Sequence, residues 1–348
     1  MMIKEAIAKA VDGFDLTAQE AASAMDEIMT GTATPIQIAG YLTALRIKGE
    51  TVDEITGSAR VMREKARYVD GGADALDIVG TGGDCAFTFN ISTTSAFVCA
   101  AAGVKIAKHG NRSVSSKCGA ADILEALGAK LDLTPEQTGK VLEKTGICFM
   151  FAPVHHQSMK YAALPRRELG IRTVFNILGP LSNPAGAGYQ LLGVYDKALA
   201  EPLARVLSNL GVKSAMVVCG QTGRCGGSDE NSVDELSPCG ENFVCALSDG
   251  KFSTYTLRAE DFGLAPCTLA DIQGGDAAAN VQIVRDILAG ARGPKRDTVL
   301  MNAAAALYIA GKAPTLRECT AIAASAIDSG DAQKKLEEFV KATNSFAD

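Results

Sequence analysis

Apolar residues recur every three to four positions along the first seventy residues, and glycines cut that pattern into four runs. The run IKEAIAKAV (3–11) stops before Gly13. Thr17 and Glu20 form a capping box ahead of a run that ends at Gly31. Thr34 stands as N-cap with Pro35 in the first turn, and Gly49 follows the end. Thr51 and Glu54 repeat the capping box for a run through Val69. The pattern predicts four short helices joined by short links. Their apolar faces exceed what so small a bundle can bury, so the bundle is expected to pack on the rest of the chain or on a second subunit.

From about residue 75 the period changes. Short apolar runs at 76–79, 104–110, 147–151, 190–195 and 214–220 read as strands, and helical runs at 92–103, 119–128, 134–146 and 197–211 lie between them. Alternating strands and helices imply βαβ units and a mainly parallel sheet. Residues 243–257 read instead as a hairpin turning at Asp249-Gly250. The last seventy residues return to helical periodicity. The expected fold class is α/β: a small N-terminal helical domain plus a larger α/β domain around a mainly parallel central sheet.

Composition narrows the function. The chain has 348 residues and a formal charge of -6, with few aromatics, which argues against a nucleic-acid surface. No stretch is long and apolar enough to predict a membrane span, and the N-terminus does not read as a signal peptide, so the cytoplasm is the expected compartment. The ten cysteines include no CxxC pair and read as reduced packing residues.

The chemistry is expected beyond the strand ends, where open parallel sheets bind ligands. GTGGD (80–84) follows the first strand and precedes a helix, an arrangement that offers backbone N–H groups to an anion. It matches neither the dinucleotide fingerprint nor the Walker loop. Asn90, Ser92, Thr93 and Thr94 stand at the start of the following helix, where hydroxyls cap N–H groups or bind phosphate; for Thr94 capping is the simpler role. The loop after the second strand adds Lys108, Arg112 and Lys117, with Asn111, Ser113, Ser115 and Ser116 as hydrogen-bonding groups. Two such loops at adjacent strand ends would wall one polyanion site. Asp234 and Glu235 supply carboxylates for the Mg²⁺ that a polyphosphate brings with it, although an adjacent acidic pair alone is usually a surface feature. Arg166, Arg167 and Arg172 lie near an apolar segment, a setting that suits a flat aromatic acid.

In this order, GTGGD, FNIST (89–93), KHGNRSVSSK (108–117), the adjacent His155 and His156, RRELGIRTVFNILGPL (166–181) and VDE (233–235) resemble the anthranilate phosphoribosyltransferases over nearly the whole chain. The resemblance implies transfer of phosphoribose from 5-phosphoribosyl-1-diphosphate to the amine of anthranilate in tryptophan biosynthesis, with release of diphosphate. It implies a helical domain over 1–70, joined in space by part of 165–190, an α/β domain over 71–348, and a homodimer formed through the helical part. Gly80, Gly83, Asp84, Thr88, Asn90, Ser92, Thr93 and the loop from Lys108 to Ser116 would line the diphosphate-sugar site. Ser92, Asp234 and Glu235 would hold Mg²⁺, as two ions. Gly80, Asn111 and Arg166 would contact anthranilate, and His109, His156 and Pro180 would border the aromatic channel.

Four features depart from the family. Cys85 replaces a glycine, Ala120 a serine that bonds the diphosphate sugar, and Gln157 a proline; the segment ahead of Asp234 is also longer. An oxocarbenium-like transition state and an amine already neutral at pH 7 require no general base, and none is assigned. Asp70–Asp74 reads as a hinge for domain closure. The alternatives are a pyrimidine nucleoside phosphorylase of similar architecture and a non-catalytic phosphate-binding relative.

Overall fold

The computed structural model describes residues 1–113, 117–222 and 232–346. Helices α1 (Ile3–Val11), α2 (Ala18–Thr30), α3 (Pro35–Lys48) and α4 (Val52–Glu64) form the N-terminal bundle. The boxes at Thr17/Glu20 and Thr51/Glu54 are both made, and Thr34 and Pro35 open α3. Glu54 does more than cap α4. Its buried carboxylate also accepts the Leu16 N–H at 2.8 Å and pairs with Lys48 at 3.0 Å, tying three helix ends together.

Helix α4 stops five residues short of the predicted Val69. There the Arg67 N–H donates to the His155 carbonyl and the Val69 N–H to the Pro184 carbonyl, so tertiary bonds take the amides that another helical turn would use.

Eight strands form one sheet: β1 (Leu76–Gly80), β2 (Ile106–Gly110), β3 (Ile147–Phe151), β4 (Tyr189–Gly193), β5 (Ser214–Gln221), β6 (Ser232–Val233), β7 (Asn242–Ser248) and β8 (Lys251–Leu257). The order is β3-β2-β1-β4-β5-β7-β8, with β6 also paired to β5. Strands β1 to β5 are mutually parallel, while β6 and β7 pair antiparallel to β5, and β8 antiparallel to β7. The β7–β8 turn is Asp249-Gly250, with both φ values positive, as a two-residue hairpin needs.

Side chains alternate between the two faces of the sheet. Leu191, Met216 and Val218 join a core with the helices Ile91–Ala101, Pro294–Ile309 and Asp331–Asn344. Leu192, Ala215, Val217 and Cys219 face the other way, into a core shared with α1–α4 and the helix Ala200–Asn209. The bundle thus meets the α/β domain mainly through helices, with α4 against Ala200–Asn209. Helix Lys160–Leu169 packs on α2 and α3, and helix Phe175–Leu181 on α4. These two helices contain Pro165 and Pro180, and the sequence pattern marks neither.

The chain adds β2 and β3 on one side of β1, then β4 and β5 on the other. The strand order thus reverses between β1 and β4, the point where such sheets open a crevice at their carboxyl ends.

Candidate active site at the strand ends

The glycine turn sits at that crevice. Gly80 ends β1 and is the register partner of Gly193, which ends β4. A Cβ on Gly80 would overlap the Asp234 carboxylate, one on Gly193 the Asp234 carbonyl, and one on Gly220 in β5 the Glu235 carbonyl. Three strand-end glycines therefore form the seat on which the 234–235 segment lies.

The turn has left-handed backbone at Gly82, Gly83, Cys85 and Phe87, with φ of 71°, 80°, 57° and 54°. Left-handed residues alternate with others along 83–87, and left-handed residues paired with right-handed ones are what build an anion-binding nest. The Thr81 N–H donates to the Gly193 carbonyl at 2.9 Å and the Gly82 N–H to Asp234 Oδ2 at 2.6 Å. Among the described residues, the amides of Gly83, Asp84 and Cys85 meet no acceptor. Cys85 adopts a left-handed conformation, which accounts for glycine at this position in the family.

The acidic pair meets the turn and the next helix together. The Ser92 N–H, in the first turn of Ile91–Ala101, donates to Glu235 Oε1 at 3.1 Å, so Glu235 serves a free amide at the positive end of that helix. Asp84 Oδ2 accepts the Asp234 N–H at 3.3 Å. Desolvation, followed by the charges of Asp84 and Glu235, holds Asp234 well above the usual carboxylate range. Desolvation raises Glu235 as well, against the pull of Lys108. The Lys108 ammonium is buried and donates to the Ile78 carbonyl and to Ser92 Oγ. Thr93 is buried beside Ser92, while the Thr94 hydroxyl donates to the Asn90 carbonyl at 2.8 Å and caps no amide.

The second loop is held from behind. The Ser113 and Gly119 N–H groups both donate to Asp122 Oδ2 at 2.9 Å. Asn90 Nδ2 donates to the Cys118 carbonyl at 3.1 Å, and Asn111 Oδ1 accepts the Arg112 N–H at 2.8 Å. The Arg112 side chain turns outward, where Glu125 and Asp122 hold it over the Phe151 ring. Its expected place among the diphosphate contacts is therefore not occupied by its guanidinium. Thr88 pairs through its backbone with Gln273, closing the far side of the turn. Ser115 and Ser116 lie outside the described residues.

A second group gathers around the helix Phe175–Leu181. The Arg166 guanidinium lies 5.1 Å from the Phe175 ring centroid, and no carboxylate among the described residues pairs with it. The Pro180 carbonyl accepts from Gln190 Nε2 at 2.7 Å. The His109 and His156 rings are 4.9 Å apart, and the Nε2 atom of each is buried without a partner among the described residues.

Burial pushes His156 down to about 4 and His109 well below its usual value, so both imidazoles are neutral at physiological pH. A native state that resists protonation is at its most stable above the ordinary value of 6.5 and loses that contribution as pH falls toward about 4. Denaturation midpoints measured between pH 7.5 and 4.5 should therefore fall more steeply for the native protein than for His156→Gln. The gap between them should shrink by up to about 1.4 kcal/mol per pH unit.

Several residues here escape a reading of the sequence. Asp77 is buried in β1, accepts from Asn183 Nδ2 at 2.7 Å and from the His109 N–H at 3.3 Å, and is pushed up to about 6 by burial. Asn280 donates to Asn90 Oδ1 at 3.1 Å. An acid inside an apolar strand was a usable signal for Asp77; Asn280 offered none. The glycines closing two predicted strands were visible, but their common partner was not. Gly193→Ala is expected to lower kcat/KM about 100-fold with an unchanged circular dichroism spectrum, because the added methyl shifts the acidic pair by a sizeable fraction of an ångström or more.

Comparison with known proteins agrees with this geometry. Residues 4–66 match the family model "Glycosyl transferase family, helical bundle domain", and residues 72–333 match "Glycosyl transferase family, a/b domain". The anthranilate phosphoribosyltransferase of Ruminiclostridium cellulolyticum is 53% identical over 345 residues, covering 99% of this chain and 98% of its own. The crystal structure of the Thermus thermophilus enzyme has a TM-score of 0.89 and 42% identity, covering 97% of this chain and 99% of that one. The Saccharomyces cerevisiae enzyme in complex with PRPP and Mg has a TM-score of 0.88 and 28% identity, covering 99% and 98%. The same yeast enzyme is also known in complex with 4-fluoroanthranilate, with a TM-score of 0.87 and 27% identity, covering 99% and 98%. The pyrimidine nucleoside phosphorylase reading is not favoured by these likenesses. With both domains matched and about half of its residues shared with named relatives along its full length, the chain belongs to the anthranilate phosphoribosyltransferase family.

Proposed function

We propose that the strand-end crevice transfers the phosphoribosyl group of PRPP to the amine of anthranilate, giving N-(5-phosphoribosyl)anthranilate and diphosphate in tryptophan biosynthesis. The observation that carries this reading is the seating of Asp234 and Glu235 directly against the glycine turn and the start of the Ile91–Ala101 helix. The free amides of 83–85 face the departing diphosphate, and Gly80, Thr88, Asn90, Thr93, Lys108, Asn111 and Ser113 surround the sugar phosphate; Ser115 and Ser116 lie outside the described residues. Arg166 takes the anthranilate carboxylate, with Asn111 beside it and His109, His156 and Pro180 as the walls of the channel. The neutral imidazoles leave no strong acid or base near the amine, which needs none.

The donor set fits Mg²⁺. Three carboxylates, Asp84, Asp234 and Glu235, crowd one corner in which Lys108 is the buried cation. Among the described residues no three His, Cys, Asp or Glu side chains form a ready-made metal site. That suits an ion which completes its shell with phosphate oxygens and water. Ser92, Asp234 and Glu235 would hold it, as two ions, and when bound it would neutralise charge on the leaving diphosphate.

Loss of anthranilate fluorescence in the presence of PRPP and Mg²⁺ tests the reaction. No loss with both present, or phosphorolysis of thymidine or uridine instead, would reject it. We further propose that residues 1–70 act as the unit that closes over 71–348, and that the protein is a homodimer through this unit. The exposed apolar side chains Val11, Phe14, Ile36 and Ile47 in the first forty-eight residues support the dimer. A monomer in sedimentation at assay concentrations would oppose it. Cys99, Cys148 and Cys219 are buried thiols, in keeping with the cytoplasm, and among the described residues no helix is long and apolar enough to cross a membrane.

A further inference from the structure

Helix Lys160–Leu169, which carries Arg166, ends at Gly170. Two residues later Arg172 crosses to the glycine turn. Its Nη2 donates to the Gly83 carbonyl, and its guanidinium carbon stands 3.9 Å from the Tyr195 ring centroid. Tyr195 is itself fixed to the site. Its N–H donates to Thr81 Oγ1 at 3.2 Å, and its carbonyl accepts the Ser232 hydroxyl, two residues before Asp234. The turn is thus held from both sides, by Asp234 at the Gly82 amide and by Arg172 at the Gly83 carbonyl. Gly82 and Gly83 have no side chains to stiffen them, and peptide 82–83 could otherwise rotate and carry the free amides of 83–85 away from the ligand. Among the described residues no carboxylate neutralises Arg172, so stacking and the carbonyl bond are what hold it.

We propose that Arg172, stacked on Tyr195, is a positioning residue that keeps the glycine turn shaped for diphosphate and couples it to the segment bearing the anthranilate arginine. A planar guanidinium can stack and donate sideways at once, which an ammonium cannot do equally well. The proposal rests on the glycine turn being the diphosphate site.

Steady-state kinetics of the full-length protein test it, with Arg172→Met, Arg172→Lys, Tyr195→Leu, the Met/Leu double variant, and Ser92→Ala as an independent reporter. Arg172→Met is expected to raise the PRPP KM about tenfold and to move the anthranilate KM less than twofold. Arg172→Lys should recover little of the loss, Tyr195→Leu should show the same split, and the double variant should be no worse than Arg172→Met. Hydrogen exchange in a peptide spanning 80–88 should quicken in Arg172→Met without a change in melting temperature, as expected for an exposed side chain. An unchanged PRPP KM and unchanged exchange in Arg172→Met would overturn the proposal. So would full rescue by lysine, which would reduce Arg172 to a point charge, or additive losses in the double variant. If Ser92→Ala raises the PRPP KM while Arg172→Met does not, only the role of Arg172 falls. If neither does, the assignment of the turn to diphosphate falls with it.

Discussion

Asp234→Asn combined with Glu235→Gln is expected to lower Mg²⁺-dependent turnover by about three orders of magnitude and, at the same time, to raise the melting temperature of the metal-free protein. The first effect follows from losing the carboxylates that would carry the metal at the leaving group, where a single preorganised electrostatic contact is typically worth about 3–4 kcal/mol. The second follows from the electrostatics of the native site. Desolvation and the neighbouring acids make ionised Asp234 and Glu235 costly. Because their proton affinity is higher in the folded chain, the stability they contribute is fully present below the ordinary carboxylate range and is lost as pH rises through the folded values. The amide variant avoids that loss, while its amide oxygens can still accept the Gly82 and Ser92 N–H groups. Thermal melts in chelator at pH 8 should therefore favour the variant, and Mg²⁺ with PRPP should stabilise only the native protein. A double variant that turns over normally would remove the pair from the reaction, and one that melts earlier would contradict the charge argument.

Arg166→Met is expected to raise the anthranilate KM by about 10- to 100-fold, the range of a lost charge-assisted hydrogen-bond pair. The PRPP KM should be nearly unchanged. Arg166 is half-buried over Phe175 without a carboxylate partner among the described residues, and burial pulls its pKa down. A desolvated cation kept without a counter-ion is ready for a carboxylate that arrives with the substrate. Arg166→Lys should restore less than a tenth of the lost kcat/KM, since the two-pronged fork is absent. Titration of each substrate at saturation of the other gives both constants; a change confined to the PRPP KM would assign Arg166 to the other substrate.

What the sequence disclosed depended on how local the cause was. Thr17 with Glu20 and Thr51 with Glu54 act across three residues, so their helices were legible. The same holds for the parallel strands, whose apolar runs stand apart from the helical periods, and for the Asp249-Gly250 hairpin. Val69 was overrun because bonds to His155 and Pro184, far along the chain, end α4 early. Pro165 and Pro180 concealed two helices, and Ser232–Val233 is too short to show a period. In the site, GTGGD and the acids at 234–235 were visible as residue types with a chemistry. The contact between Gly82 and Asp234 spans 152 positions, and that between Arg172 and Gly83 spans 89. Nothing in a local window encodes either. Arg112 reads as a phosphate ligand in the sequence, and its pairing with Asp122 and Glu125 on the next helix does not show in a local window.

The seat made by Gly80, Gly193 and Gly220 has a consequence for how this protein can diverge. The acidic pair is located by room left in the sheet, with Ser232 and Val233 fastening it to Tyr195 and β5. One methyl group on the sheet below is therefore barred. Lineages should accordingly differ hardly at all at the three hydrogens beneath it.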